Sequence, residues 1–207
     1  MKSQSIARVL ANLFAKENSV RYRARLELSG RDSAEVISTV RKFAIGLNPK
    51  NASPDRDEAQ ALLECLWIFE EQRSPFLGLV EKTFQAEEPR VRAAAIRTLG
   101  HWAGQVEGWE SLLAAAAKDD SALVRAEAAK AAVNFQGFTS AEVIFEVATR
   151  EVDPELNDVL DFARSQIDVD AMISDAIASK KQLSPAARTY ALQNADGDAL
   201  LKMERSS

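Results

Sequence analysis

Apolar residues return along this chain with a helical rhythm rather than an alternating one. Ile6, Val9, Leu10, Leu13 and Phe14 follow an i, i+3, i+4, i+7, i+8 stripe, and Val36, Ile37, Val40, Phe43, Ala44 and Leu47 repeat it. Side chains at those spacings share one face of a 3.6-residue turn, so each run predicts an amphipathic helix with one buried face. Punctuation falls between the runs. Asp32 with Glu35 reads as a capping-box start, and Gly46 with Pro49 as a stop. Ser74-Pro75, Asp153-Pro154 and Ser184-Pro185 each set a polar cap before a proline in the first turn, and Thr139 with Glu142 forms another capping box. No run keeps a period of two long enough to predict a strand. The predicted helices are 4–16, 19–29, 33–46, 56–72, 75–86, 89–103, 108–117, 121–135, 140–149, 154–166, 168–179 and 185–194. The short loops between them predict antiparallel hairpins.

The runs also repeat one another. Val91 in VRAAAIRTLGHW aligns with Val124 in VRAEAAKAAVNF and with Val20 in VRYRARLELSG. Each copy has Val-Arg, then a small residue four positions on (Ala95, Ala128, Ala24) and an apolar residue at plus eight (Leu99, Ala132, Leu28). Looser copies place Ala61 with Cys65 and Phe69, and Leu156 with Leu160 and Arg164, the last departing at plus eight. Register positions 20, 61, 91, 124 and 156 are 41, 30, 33 and 32 residues apart. A small residue at plus four lets a neighbouring helix approach closely, and positions zero, four, seven and eight form the buried stripe. One helix pair cannot bury both its faces, so pairs must stack. Acidic residues stand just ahead of two Val-Arg copies, at Glu88 and Asp120.

Val-Arg behind an acidic residue, on the second helix of a pair, resembles the HEAT-repeat signature, most closely at 91 and 124. That resemblance implies an all-α fold: a right-handed α-α superhelix of about six HEAT-like antiparallel helix pairs, 1–207 forming one repeat domain. The runs VRYRARLELSGRDSAEVI, LLECLWIFEEQ, VRAAAIRTLGHWAG and LLKMER are moreover similar to the HEAT-repeat segment of large exported proteins of planctomycete and verrucomicrobial bacteria. Those proteins carry a sugar-dehydrogenase-like β-propeller before the repeats and a c-type cytochrome domain after them. This second resemblance runs from about residue 17 to the C-terminus, and it implies a scaffold segment of a larger, exported protein. Neither a propeller nor a haem motif is present in this chain, so no redox role transfers to any of its residues. From about Asp196, Leu200, Leu201 and Met203 begin a helix without its partner, which reads as an incomplete last repeat.

Composition narrows the function classes. Of 207 residues, 46% are apolar and 28% charged, as in a folded globular protein. No stretch reaches the roughly 20 apolar residues of a membrane helix, and MKSQSIARVLANLF lacks the apolar core and cleavage site of a signal peptide. One cysteine and one histidine supply no internal disulfide, no zinc ligand set and no covalent haem site, so no cofactor is expected. Charge is uneven. Residues 1–50 carry ten Lys/Arg against Glu17, Glu27, Asp32 and Glu35, a net of +6, whereas 140–170 carry Arg150 and Arg164 against nine carboxylates, a net of −7. Such asymmetry steers partners, or is simply drift among solvated faces.

The candidate residues follow from the register. Arg21, Arg92 and Arg125 hold the same repeat position and form an arginine ladder. Guanidinium forks suit a carboxylate or phosphate partner, but here they are expected to be structural, paired with acids such as Glu88 and Asp120. Tyr22, Trp67, Arg97 and Lys130 mark a possible protein-binding track on the second helices, in residue types favoured at interface hot spots. The helix around Trp67, ALLECLWIF, is apolar all round, which argues equally for burial. Trp102 falls on the core stripe. His101 has neither a nucleophile motif nor a second histidine beside it, and reads as a polar tip at a helix end rather than a base. Asp168, Asp170 and Asp175 lack the calcium-loop spacing, and the scattered glycines cradle no phosphate. The sequence therefore reads as a non-catalytic scaffold for protein, whether flanking domains of the same polypeptide or a separate partner. The alternative is a nucleic-acid-backbone binder similar to the HEAT-like alkylpurine DNA glycosylases, which the acidic later pairs disfavour.

Overall fold

A computed structural model describes residues 4–53, 56–198 and 201 of the chain. Among the described residues it is all-α apart from one small hairpin, and it divides into two compact units, Met1–Glu107 and Gly108–Ser207.

In the first unit, α1 (Ile6–Leu10) runs into a 3-10 turn (Ala11–Phe14) and pairs with α2 (Asn18–Ser29). Next, α3 (Ser33–Ile45) pairs with α4 (Glu58–Glu71), and α5 (Leu77–Thr83) pairs with α6 (Pro89–His101). The second helices stack in sequence, α2 on α4 and α4 on α6. In the second unit, α7 (Glu110–Ala117) pairs with α8 (Ala122–Phe135), α9 (Gly137–Val147) with α10 (Pro154–Ser165), and α11 (Val169–Ala178) with α12 (Pro185–Asn194). Here α8 stacks on α10, while α9 is shared between α7 and α11. Each of the six pairs is a helical hairpin.

The register explains the packing. The plus-four residues Ala24, Cys65, Ala95, Ala128 and Leu160 are all buried, as are Leu28, Phe69, Leu99 and Ala132 at plus eight. Trp102 is buried on the same stripe. A larger side chain at plus four would have to push two helices apart. Ala95→Leu and Ala128→Leu should each lower stability by about 1–3 kcal/mol through overpacking. Urea unfolding of both variants checks this, and unchanged midpoints would show the register to be wrong.

Helix ends obey their local signals in most places. Carboxylates of Asp32, Asp153 and Asp168 accept from the third amide on, at 2.9, 2.7 and 2.9 Å, and Ser184 Oγ accepts from Ala187 at 3.2 Å. Two ends are Schellman turns without glycine: Arg73 (φ 50°) after α4 and Lys180 (φ 53°) after α11. Their next amides return to the carbonyls of Phe69 and Ala176, at 3.0 and 2.9 Å.

Three expectations need correction. Ser74 does not cap α5, which starts at Leu77, because the Ser74 amide closes the turn after α4. Thr139 and Glu142 do not form a capping box. α9 already starts at Gly137, and the Glu142 carboxylate instead accepts from the Ser184 amide at 2.8 Å, at the start of α12. The helix expected from residue 56 starts at Glu58. Before it, Ala52–Ser53 and Arg56–Asp57 pair as a two-residue antiparallel ladder, too short to leave a period-two trace in the sequence. Of the residues expected to begin a further helix, Leu200 and Met203 lie outside the described residues, and Leu201 is exposed.

Candidate functional site

The arginine ladder has a specific job in each hairpin. Arg21, Arg92 and Arg125 are each the fourth residue of their helix. From there a guanidinium reaches back across the first turn to the loop before it. One terminal nitrogen of each bonds the two carbonyls five and six residues earlier. These are Lys16 and Ala15 (2.8 and 2.7 Å), Glu87 and Ala86 (2.7 and 3.0 Å), and Asp120 and Asp119 (3.0 and 2.9 Å). The fork thus satisfies loop carbonyls that no helix provides for. Arg125 also donates to the Glu151 carbonyl at 2.7 Å, tying its own hairpin loop to that of the next pair. The expected carboxylate partners are arranged otherwise. Asp120 offers its carbonyl to Arg125, and its carboxylate stands 3.5 Å from Arg150, while the Glu88 carboxylate caps α6 through the Arg90 amide.

Position 62 of α4 has leucine where the ladder would have arginine, and its loop is closed from the other side. Glu58 accepts from Arg56 Nε at 2.8 Å and from the Asn48 amide at 2.7 Å, and its own amide donates to Asn51. Arg56 foremost, then the Asn48 amide, hold the Glu58 carboxyl below its ordinary value.

The densest polar cluster lies between α2 and α4, around Glu64. Its side chain is fully buried and accepts from Arg21 Nε (2.8 Å), an Arg25 terminal nitrogen (2.9 Å) and Gln60 (2.8 Å). Three donors make this buried charge tolerable. Arg25 also stands 3.5 Å from Glu71 and lies over two rings, 4.7 Å from the centroid of Trp67 and 5.8 Å from that of Tyr22. Arg25, Trp67, Glu70 and Glu71 line an open depression of about 350 Å³. Glu70 meets His101 Nδ1 at 2.6 Å. Burial pushes the Glu71 carboxyl above its ordinary value, Arg25 works against that, and the Glu64 and Glu70 charges add to it.

The expected track residues fall as follows. Tyr22 is 52% exposed, and Leu26, one turn on, is 58% exposed. Trp67 is half-buried, its ring beneath Arg25. Arg97 is exposed on α6. Lys130 is exposed on α8, in the second unit, and bonds the buried Glu127 at 3.1 Å. His101 is an exposed helix end held by Glu70. Cys65 is fully buried, and burial drives its thiol far above the ordinary value, which removes it as a nucleophile. Asp168 caps α11, and Asp175 accepts from the Phe138 amide at 3.3 Å, so neither belongs to a ligand cluster.

Arg25, Glu64, Glu70 and Glu71 escaped the reading of the sequence. One signal was available: a glutamate inside the apolar run ALLECLWIF cannot stay buried without a cationic partner.

Stacked hairpins with a small plus-four residue and an arginine-closed loop define a helical-repeat protein. Residues 76–160 match the family model of HEAT repeats. No curated protein and no solved structure matches the chain significantly. Among the described residues no helix is long and apolar enough to cross a membrane.

Proposed function

We propose that the chain is a non-catalytic helical scaffold that docks protein on the exposed face of α2, α4 and α6. Its partner is a flanking domain of the same polypeptide or a separate chain. One observation carries this reading. The repeat register buries its apolar positions, yet Tyr22 and Leu26 stay more than half exposed beside the partly open Trp67. An aromatic and aliphatic strip with charged neighbours is the composition of an interface centre. The resemblance to the repeat segment of exported multidomain proteins supports flanking domains as the partner class. The alternative of gripping a nucleic-acid backbone is weakened by the ladder, since Arg21, Arg92 and Arg125 already point forks at loop carbonyls.

A photo-crosslinking residue placed at Tyr22, and in a control at Lys42 on α3, tests the surface in cells of the source organism. A discrete protein adduct from position 22 and none from position 42 is the expected result. Equal yields, or none from position 22, would sink the docking reading.

A further inference from the structure

The geometry points to a cation seat: the depression lined by Arg25, Trp67, Glu70 and Glu71 holds a lysine or arginine side chain of a docked polypeptide. This deepens the docking reading and rests on it. The argument starts from the charges already engaged. Glu64 absorbs Arg25 and the Nε of Arg21, and a terminal nitrogen of Arg21 sits on the Ala15 and Lys16 carbonyls. Two guanidiniums are thus set against three carboxylates, Glu64, Glu70 and Glu71, with the His101 ring nitrogen against Glu70. An incoming anion would meet the exposed side of Glu70 and Glu71 before reaching Arg25, whose side chain is only 14% exposed. An incoming cation meets the two carboxylates directly.

The walls suit such a group as well. Trp67 already accepts one guanidinium at 4.7 Å, and an indole is the best aromatic partner for a cation. Long basic side chains lay their methylene stems on apolar surface while the charged head finds its partner. Tyr22 and Leu26, more than half exposed on the adjoining helix, supply that surface and can take a neighbouring apolar residue of the same segment. The Glu71 carboxyl is held above the ordinary value by burial and by Glu64 and Glu70, with Arg25 at 3.5 Å only partly offsetting them. A second cation there would relieve this.

The probe is a set of labelled peptide pools with random flanks around a fixed central lysine, arginine, norleucine or glutamate, presented to the full chain. Lysine and arginine pools should bind at least tenfold better than the norleucine and glutamate pools. That margin should collapse in the Glu70→Gln/Glu71→Gln double variant and survive in Glu81→Gln, an exposed control on α5. The glutamine replacements keep side-chain shape, and a thermal melt confirms that the variants fold. As a second reading, methylguanidinium should shift the Trp67 indole resonance in the unaltered protein, and acetate should not. Equal binding of all pools, preference for glutamate, or a preference untouched by the double variant overturns the cation seat. Crosslinking at Tyr22 separates this failure from that of the wider reading. Adducts that persist without a charge preference leave docking standing and remove only the seat.

Discussion

Glu64→Ala should destabilise the first unit by about 3–5 kcal/mol, the usual cost of removing one partner from a buried ion pair. The carboxylate has no exposed surface and gathers donors from Arg21, Arg25 and Gln60. Its loss would leave the Arg25 guanidinium largely buried, with Glu71 at 3.5 Å as its remaining carboxylate. Arg21 would fare better, because the loop carbonyls of Ala15 and Lys16 still hold it. A double-mutant cycle with Arg25→Met should therefore recover part of the loss, whereas one with Arg21→Met should not. Urea unfolding measures the total, and hydrogen exchange should locate the weakened amides in α2 and α4. A shift below about 1 kcal/mol, the scale of an exposed ion pair, would mean that Glu64 is not buried as described.

In the second unit the largest single effect is expected at Gly137, which opens α9 with φ of +78°. An L-residue rarely adopts that backbone, and a Cβ there would run into the Asp175 carboxylate. That carboxylate does the work of a missing cap, accepting from the Phe138 amide at 3.3 Å, since Gln136 offers α9 no side-chain cap. Gly137→Ala thus adds backbone strain and displaces the cap together, for an expected loss of about 2–4 kcal/mol. Asp175→Ala removes the cap alone and should cost about 1 kcal/mol. Because both changes act on the same carboxylate, the double variant should cost less than the sum. Additive losses would show that the contact between α9 and α11 is not what positions this helix start.

Glu64 and Gly137 also mark where reading the chain from its residues stops working. The helix around Glu64 was visible in the run ALLECLWIF, but its partners Arg21 and Arg25 lie 43 and 39 residues earlier. The sequence predicts α9 from residue 140, three residues late, because Thr139 and Glu142 resemble a capping box. The residue that serves this helix start is Asp175, 37 positions on from Phe138. Glu142 was drawn away to Ser184 by the same kind of contact.

What the sequence determined by itself is whatever acts within about a turn of helix. The stripe through Val91, Ala95 and Leu99, the caps at Asp32, Asp153 and Ser184, and the repeat spacing specify helices, their pairing and the small residues at their crossings. Those signals are local, and local geometry is nearly the same in every helix. Tertiary structure decided the long-range charge contacts: Glu64 with Arg21 and Arg25, Glu142 with the Ser184 amide, and Asp175 with the Phe138 amide. An arginine at the fourth helical position carries five donors and a long stem. Which distant carboxylate it meets depends on how closely the neighbouring hairpin stacks. That is why Arg21 reaches Glu64 of the next pair rather than Glu88 or Asp120, while the carbonyls five and six residues back belong to each arginine's own loop. For the same reason the depression beside Trp67, assembled from α2 and α4, appeared only once those helices were packed together.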